Sequence, residues 1–251
     1  MTARRLAAAI TALILFLPAP LRASELVRAH PDLAAKLPGI KTVVLLPPRI
    51  SMYEIGAGGT VEAMEDWGTA AQANVSRAFI TSPLSVATFR MTEFDEQTLS
   101  PTVRETYDET RLLYEVVGDS IKLHTSFDSG PSLFPEKILT FVYSLGSEVQ
   151  QLAPEADAFL LIEGFDQRSS VGRKVLQAGT TLIAAVLGVI AIPRGGNDLM
   201  TVALVEAKTG TILWFYRTTA GYDLRDTSSA AQFAEDVLKA LPGHEQQAGV
   251  R

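Results

Sequence analysis

The stretch "ADAFLLIEGF", residues 156–165, decides how this chain is read. Phe159 to Ile162 are apolar without a break, and a strand carries apolar side chains on both faces only where both faces are covered. The run predicts a central strand in a sheet with helices on each side. Glu163, Asp166, Gln167 and Arg168 follow it directly. They would stand beyond the strand's carboxyl end, where open α/β sheets gather ligands, so Glu163, Asp166 and Arg168 form a candidate polar pocket. Acids and a cation at an ordinary strand exit is the competing reading.

Downstream, "LMTVALVEAKTGTILWFYRTT", residues 199–219, reads as a β-hairpin. Two β-rich arms flank Lys208-Thr209-Gly210, with glycine where a left-handed backbone is wanted. A last helix is expected from about Ser228 to Leu241, packing Ala231, Phe233, Ala234, Val237 and Leu238 and ending at Pro242 and Gly243. A loose tail, 243–251, follows.

Between strand and hairpin lies "RKVLQAGTTLIAAVLGVIAIPRGG", residues 173–196, with no charged side chain from Val175 to Pro193. At 1.5 Å per residue that run reaches about 28 Å as a helix, close to the thickness of a bilayer core. Gln177, Thr180, Thr181 and two glycines make it less apolar than a leucine-rich span. A complete crossing would also put the best strands on opposite sides of a membrane, and a sheet needs them together. Two other readings are a buried helical insertion joining two strands and a protruding element touching lipid or a partner protein. In the second, Leu176, Leu182, Ile183, Val186, Leu187 and Ile190 are the candidate contacts.

Upstream, "KTVVLLPPRISMYEI" predicts a strand over Val43–Leu46, stopped by Pro47 and Pro48, and a short second one over Ile50–Ile55. Gly56–Thr60 is a turn, without the spacing of a phosphate-binding loop. Thr60 is then positioned to cap a helix in which Val61, Met64, Trp67, Ala71, Val75 and Phe79 recur at three or four residues. Ser85–Met91 reads as a strand. A helix should start at Ser100 and Pro101 and stop at Gly118, with Glu105, Asp108 and Glu109 on a solvated face. Ile138, Phe141, Val142, Leu145, Val149 and Leu152 mark a further amphipathic helix ending near Pro154.

The N-terminus has the parts of a secretory signal: Arg4 and Arg5, an apolar run from Leu6 to Leu17, helix-breaking Pro18 and Pro20, and a cut expected after Ala23. Leu21 is large for its place in a cleavage site, so an uncleaved anchor is the alternative. Residues 24–40 are a lead-in segment with one short helical turn. Removing Arg4, Arg5 and Arg22 takes the formal charge from −6 to −9. That balance argues against nucleic acid, whose affinity rests on cations neutralising phosphates, and against electrostatic attachment to anionic lipid. No cysteine occurs, which excludes disulfides, thiolate metal sites, a cysteine nucleophile and a lipid-modified N-terminal cysteine.

A search for chemistry finds no enzyme. His30, His124 and His244 lie far apart in sequence without metal-ligand spacing. No serine sits in a nucleophile elbow or a Ser-x-x-Lys pair. No catalytic residue, metal ligand or cofactor site is assigned.

Three phrases together, "KTVVLLPPRI", "PEADAFLLIEG" and "VALVEAKTGTILW", resemble the α/β domain shared by the curli-secretion lipoprotein family (CsgG), the lipoprotein activators of penicillin-binding proteins and the N-terminal domain of TolB. The resemblance covers about residues 40–242. It implies a mixed sheet flanked by helices, used in the periplasm for assembly or docking and not for catalysis. Lipoprotein members carry a cysteine after the signal and this chain has none, which makes the apolar insertion at 173–196 a candidate substitute for that attachment.

The combined expectation is an α/β (α+β) fold: a signal at 1–23, then one domain over 41–242 with a mixed central sheet, the insertion at 173–196, a C-terminal hairpin and a final helix. The expected function is that of an exported, non-enzymatic envelope protein in the periplasm or on the periplasmic face of a membrane. Its partner would be another envelope protein or a second copy, with possible membrane contact. A small-molecule-binding or hydrolytic protein built around Glu163, Asp166 and Arg168 is the alternative.

Overall fold

The structure, a computed structural model, describes residues 25–125, 134–170 and 198–242. The leader, the apolar insertion with its six candidate contacts, His244 and the tail lie outside the described residues.

Eight strands among these residues form one mixed sheet: β1 (Glu25–Ala29), β2 (Thr42–Leu45), β3 (Arg49–Ile55), β4 (Val61–Ala63), β5 (Arg90–Glu93), β6 (Ala158–Ser169), β7 (Asp198–Glu206) and β8 (Ile212–Thr218). The order across it is β1-β8-β7-β6-β2-β5, with β3 on β6 and β4 on β3. The helices are α1 (Leu33–Lys36), α2 (Glu65–Thr81), α3 (Pro83–Thr88), α4 (Pro101–Thr125), α5 (Pro135–Leu139) and α6 (Thr227–Lys239). This is the mixed, helix-flanked α/β architecture that the Phe159–Ile162 run implied.

Strict alternation along β6 explains the two cores. Ala158, Leu160 and Ile162 join Ala71, Val75 and Phe79 of α2 and Phe233, Ala234, Val237 and Leu238 of α6 on one face. Phe159 and Leu161 join Tyr107, Tyr114 and Ile121 of α4, with Val149 and Leu152, on the other. Burying each large apolar side chain of β6 contributes about 1.5–3 kcal/mol.

β6 is longer than the apolar run. Its first part pairs in parallel with β2, Val43–Leu45 against Ala158–Leu160, and its second with β3, Arg49–Ile55 against Glu163–Ser169. The two short strands lie end to end along β6, separated by Pro47 and Pro48, which have no N–H to donate. Pairing with a neighbour therefore carries Glu163–Arg168 inside the strand, not beyond its exit. On its other edge β6 runs antiparallel to β7, from Ala158 opposite Glu206 to Asp166 opposite Asp198. Residues 170 and 198 thus stand at the same end of the sheet.

Several other expectations change. Glu25–Ala29, read as a lead-in, is an edge strand antiparallel to β8; the short helical turn after it is α1. Thr60 does not cap a helix: its carbonyl accepts from Gly56 N at 2.8 Å and closes a hairpin between β3 and β4, with Gly59 at φ 86°. Val61 accordingly lies in β4, 55% exposed, and the helix begins at Glu65. The first half of Ser85–Met91 is helical, because Ser82 Oγ accepts from Leu84 N at 3.3 Å and Pro83 sits at the first helical position. The strand starts only at Arg90, where β5 pairs with β2.

Gly118 does not end α4, which runs on to Thr125; burial of Ile121 and Thr125 outweighs the roughly 1 kcal/mol that a mid-helix glycine costs. The helix read over Ile138–Leu152 is broken. α5 ends at Leu139, Leu145 N and Ile212 N make sheet-like bonds to Gly210 O and Tyr143 O, and a 3-10 turn spans Ser147–Leu152. Gly146 at φ 84° permits the break. Phe141, Leu145, Val149 and Leu152 are buried all the same, but Val142 is 59% exposed, because the chain there is extended and alternates its side chains instead of following a helical face. In α6 the alanines buried are Ala230 and Ala234, not Ala231.

Candidate functional site: a polar cleft and an apolar helix face

The same alternation that divides the core divides the candidate pocket. Glu163 points with Phe159 and Leu161 toward α4, whereas Asp166 and Arg168 point to the α6 side. There Arg168 Nε donates to Asp166 Oδ2 at 2.7 Å and its Nη2 donates to the Tyr222 carbonyl. Asp166 is 2% exposed, and burial raises its carboxyl above the usual range. Asp198, its cross-strand neighbour, is raised by burial as well. Asp166 and Arg168 therefore tie the 219–226 connection to the sheet, and the three residues do not share one pocket.

Glu163 does line a cleft, of about 480 Å³. Its walls are Arg49, Ser51 and Tyr53 of β3, Glu163, Phe165 and Gln167 of β6, Leu199 and Thr201 of β7, and Glu115, Asp119 and Lys122 from the flank of α4. Behind Glu163 lies Arg111, fully buried at 0% exposure. Arg111 Nε donates to the Tyr107 hydroxyl at 3.3 Å, its guanidinium lies 5.4 Å from the Tyr107 ring centre, and Nη2 donates to the Pro47 carbonyl. The proline break in the sheet frees that carbonyl, and the arginine caps it.

Arg111 Nη1 stands 3.9 Å from Glu163 Oε1, too far for a hydrogen bond, and neither atom has another partner among the described residues. Burial pushes the Glu163 carboxyl up to about 7, against the smaller downward pull of Arg111 and Arg49. Thr201 Oγ1 donates to the Glu163 carbonyl at 3.1 Å. Tyr114, 1% exposed, has its hydroxyl proton held more tightly than usual by burial.

Sequence reasoning found Glu163 and missed Arg111, Tyr114, Arg49 and Thr201. The available signal was a charged residue at a core position: Arg111 falls on the same helical face as Tyr107, Tyr114 and Ile121. His124, which the sequence placed without metal-ligand spacing, has Nδ1 2.8 Å from the Tyr143 hydroxyl and its ring edge-on to Phe134. Among the described residues no group of three or more acids and histidines could hold a metal ion, and no helix is long and apolar enough to cross a membrane.

A second feature is the outer face of α4. Leu112, Val116 and Leu123 are 61%, 64% and 64% exposed, and Leu113 is exposed beside them. At 3.6 residues per turn the first three fall within about 40° of one another and about half a turn from Tyr114 and Ile121. α4 is therefore apolar on two opposite faces, of which the core uses one. Exposed Asp108, Glu109 and Glu115 flank the outer stripe, and exposed Glu105 and Asp119 fall on the same sector of the helix.

No protein-family model matches the sequence, and no curated protein matches it. Among solved structures the chain is similar to the PelC dodecamer from Paraburkholderia phytofirmans, with 12% identity, a TM-score of 0.33, and 87% of this chain and 96% of that chain covered. It is also similar to the dodecamer of a single-substitution PelC variant from the same organism, at 11% identity and a TM-score of 0.34, covering 87% of this chain and 98% of that one. Likeness at these values informs neither function nor assembly.

Proposed function

We propose that the protein is an exported, non-enzymatic component of the bacterial cell envelope that works by docking another envelope protein onto the outer face of α4. The observation that carries this reading is the stripe of Leu112, Val116 and Leu123, opposite the core face of the same helix. Exposed apolar side chains aligned on one helix face mark an interaction surface. Five acids on that sector of the helix favour a partner whose apolar face is flanked by Lys or Arg, and they disfavour a second copy, which would bring the same acids against them. The signal read at 1–23 supplies the route to the envelope. The uncharged run at 175–193 is a second attachment point in this reading, to lipid or protein.

Photo-crosslinking in intact cells tests it, with the crosslinker at Leu112, Val116 or Leu123 and at Lys208 as control. One adduct shared by the three stripe positions, absent at Lys208 and lost on Glu109→Lys/Glu115→Lys reversal, is the expected result. An adduct of twice the chain's own mass would replace the foreign partner with self-assembly. No stripe-specific adduct at all would end the docking reading.

A further inference from the structure

We infer that the cleft between α4 and β3, β6 and β7 binds a small amphipathic zwitterion, an α-amino acid with an apolar side chain. The argument comes from strand register. Arg49 of β3, Glu163 of β6 and Thr201 of β7 are consecutive cross-strand partners and form one row on the cleft face. Two residues further along, Ser51, Phe165 and Leu199 form the next row. The first row offers a guanidinium beside a carboxylate; the second offers an apolar shelf, since Phe165 and Leu199 are half-buried and face each other across the ladder. Rows on one face of a sheet lie about 7 Å apart, which suits a charged head on the first and a short aliphatic side chain on the second.

The state of the charges points the same way. Lys122 is already bonded to Asp119, whereas Arg49 forms no ion pair with any described residue and is exposed to the cleft. Glu163 is held from behind by a buried guanidinium that does not complete a hydrogen bond with it. The Glu163 side chain is 18% exposed with Arg111 behind it, so a ligand ammonium would pair with the carboxylate from the cleft side, and a ligand carboxylate would pair bidentately with Arg49. The cleft volume of about 480 Å³ falls in the range of small-molecule sites.

Isothermal titration of the full chain decides the matter with three probes: L-leucine, leucinamide without the carboxylate, and 4-methylpentanoate without the ammonium. Saturable binding of L-leucine, with both analogues at least about tenfold weaker, is expected. Arg49→Gln should weaken L-leucine to the level of leucinamide while leaving leucinamide unchanged, and Glu163→Gln should do the same with respect to 4-methylpentanoate. Arg49 is exposed, so its variant folds even if Glu163→Gln does not. No saturable binding of L-leucine, or binding indifferent to Arg49→Gln, would overturn the inference. Val116→Glu should leave all three titrations unchanged, so this site and the docking face fail or stand separately.

Discussion

Glu163 is a carboxyl in an environment at odds with its chemistry. Its side chain is 18% exposed, its backing is a buried arginine at 3.9 Å, and burial lifts its carboxyl from 4.5 to about 7. A carboxyl raised on folding binds its proton more tightly in the native than in the unfolded chain. Its stabilising contribution is complete below the unfolded value and fades as pH rises through the native one. Glu163→Gln cannot titrate. The stability difference between variant and native protein should shift in the variant's favour by on the order of 2 kcal/mol between about pH 5 and about pH 8. Urea unfolding at several pH values measures it, and a difference that stays constant with pH would show that Glu163 is solvated like an ordinary glutamate.

At the scale of the element, α4 is a helix with two apolar faces and one job settled. Ile121 is fully buried against the sheet, and Leu123, two residues on, is 64% exposed. Ile121→Ala removes core volume and should lower stability by about 2–4 kcal/mol. Leu123→Ala should change it by less than about 0.5 kcal/mol, because that side chain is 64% exposed. Equilibrium denaturation compares the two; equal costs would mean that Leu123 is covered in solution and the outer stripe is not a free surface.

At the scale of the molecule, β6 and β7 are joined by the ladder from Ala158 to Asp166. Residues 170 and 198 stand at the same end of the sheet, so β6 and β7 lie on the same side of any bilayer. Cysteines introduced at exposed Glu136 and Lys208, before and after the connection between the two strands, should react together with a membrane-impermeant maleimide in spheroplasts. Labelling of one alone would place the two strands on opposite sides of a bilayer and contradict the sheet.

Local pattern was enough wherever a strand is apolar on both faces or a turn needs glycine. Phe159–Ile162, Val43–Leu45 and the hairpin around Gly210, at φ 68°, were legible because burial on two sides or a left-handed backbone restricts which residues can occupy them. The class of fold, its central strand and its C-terminal hairpin and helix were therefore determined by the sequence itself. Only the tertiary structure decided where polar residues go. Glu163 through Arg168 read as a strand exit until β3 was found to pair with them, and that pairing sends Glu163 to one face and Asp166 and Arg168 to the other. Arg111 is buried because a proline break elsewhere in the chain leaves a carbonyl for it to cap. Hydrophobic periodicity reports how much of a side chain leaves water; the partner it meets there is set by register between segments far apart in sequence, and that is a property of the assembled sheet.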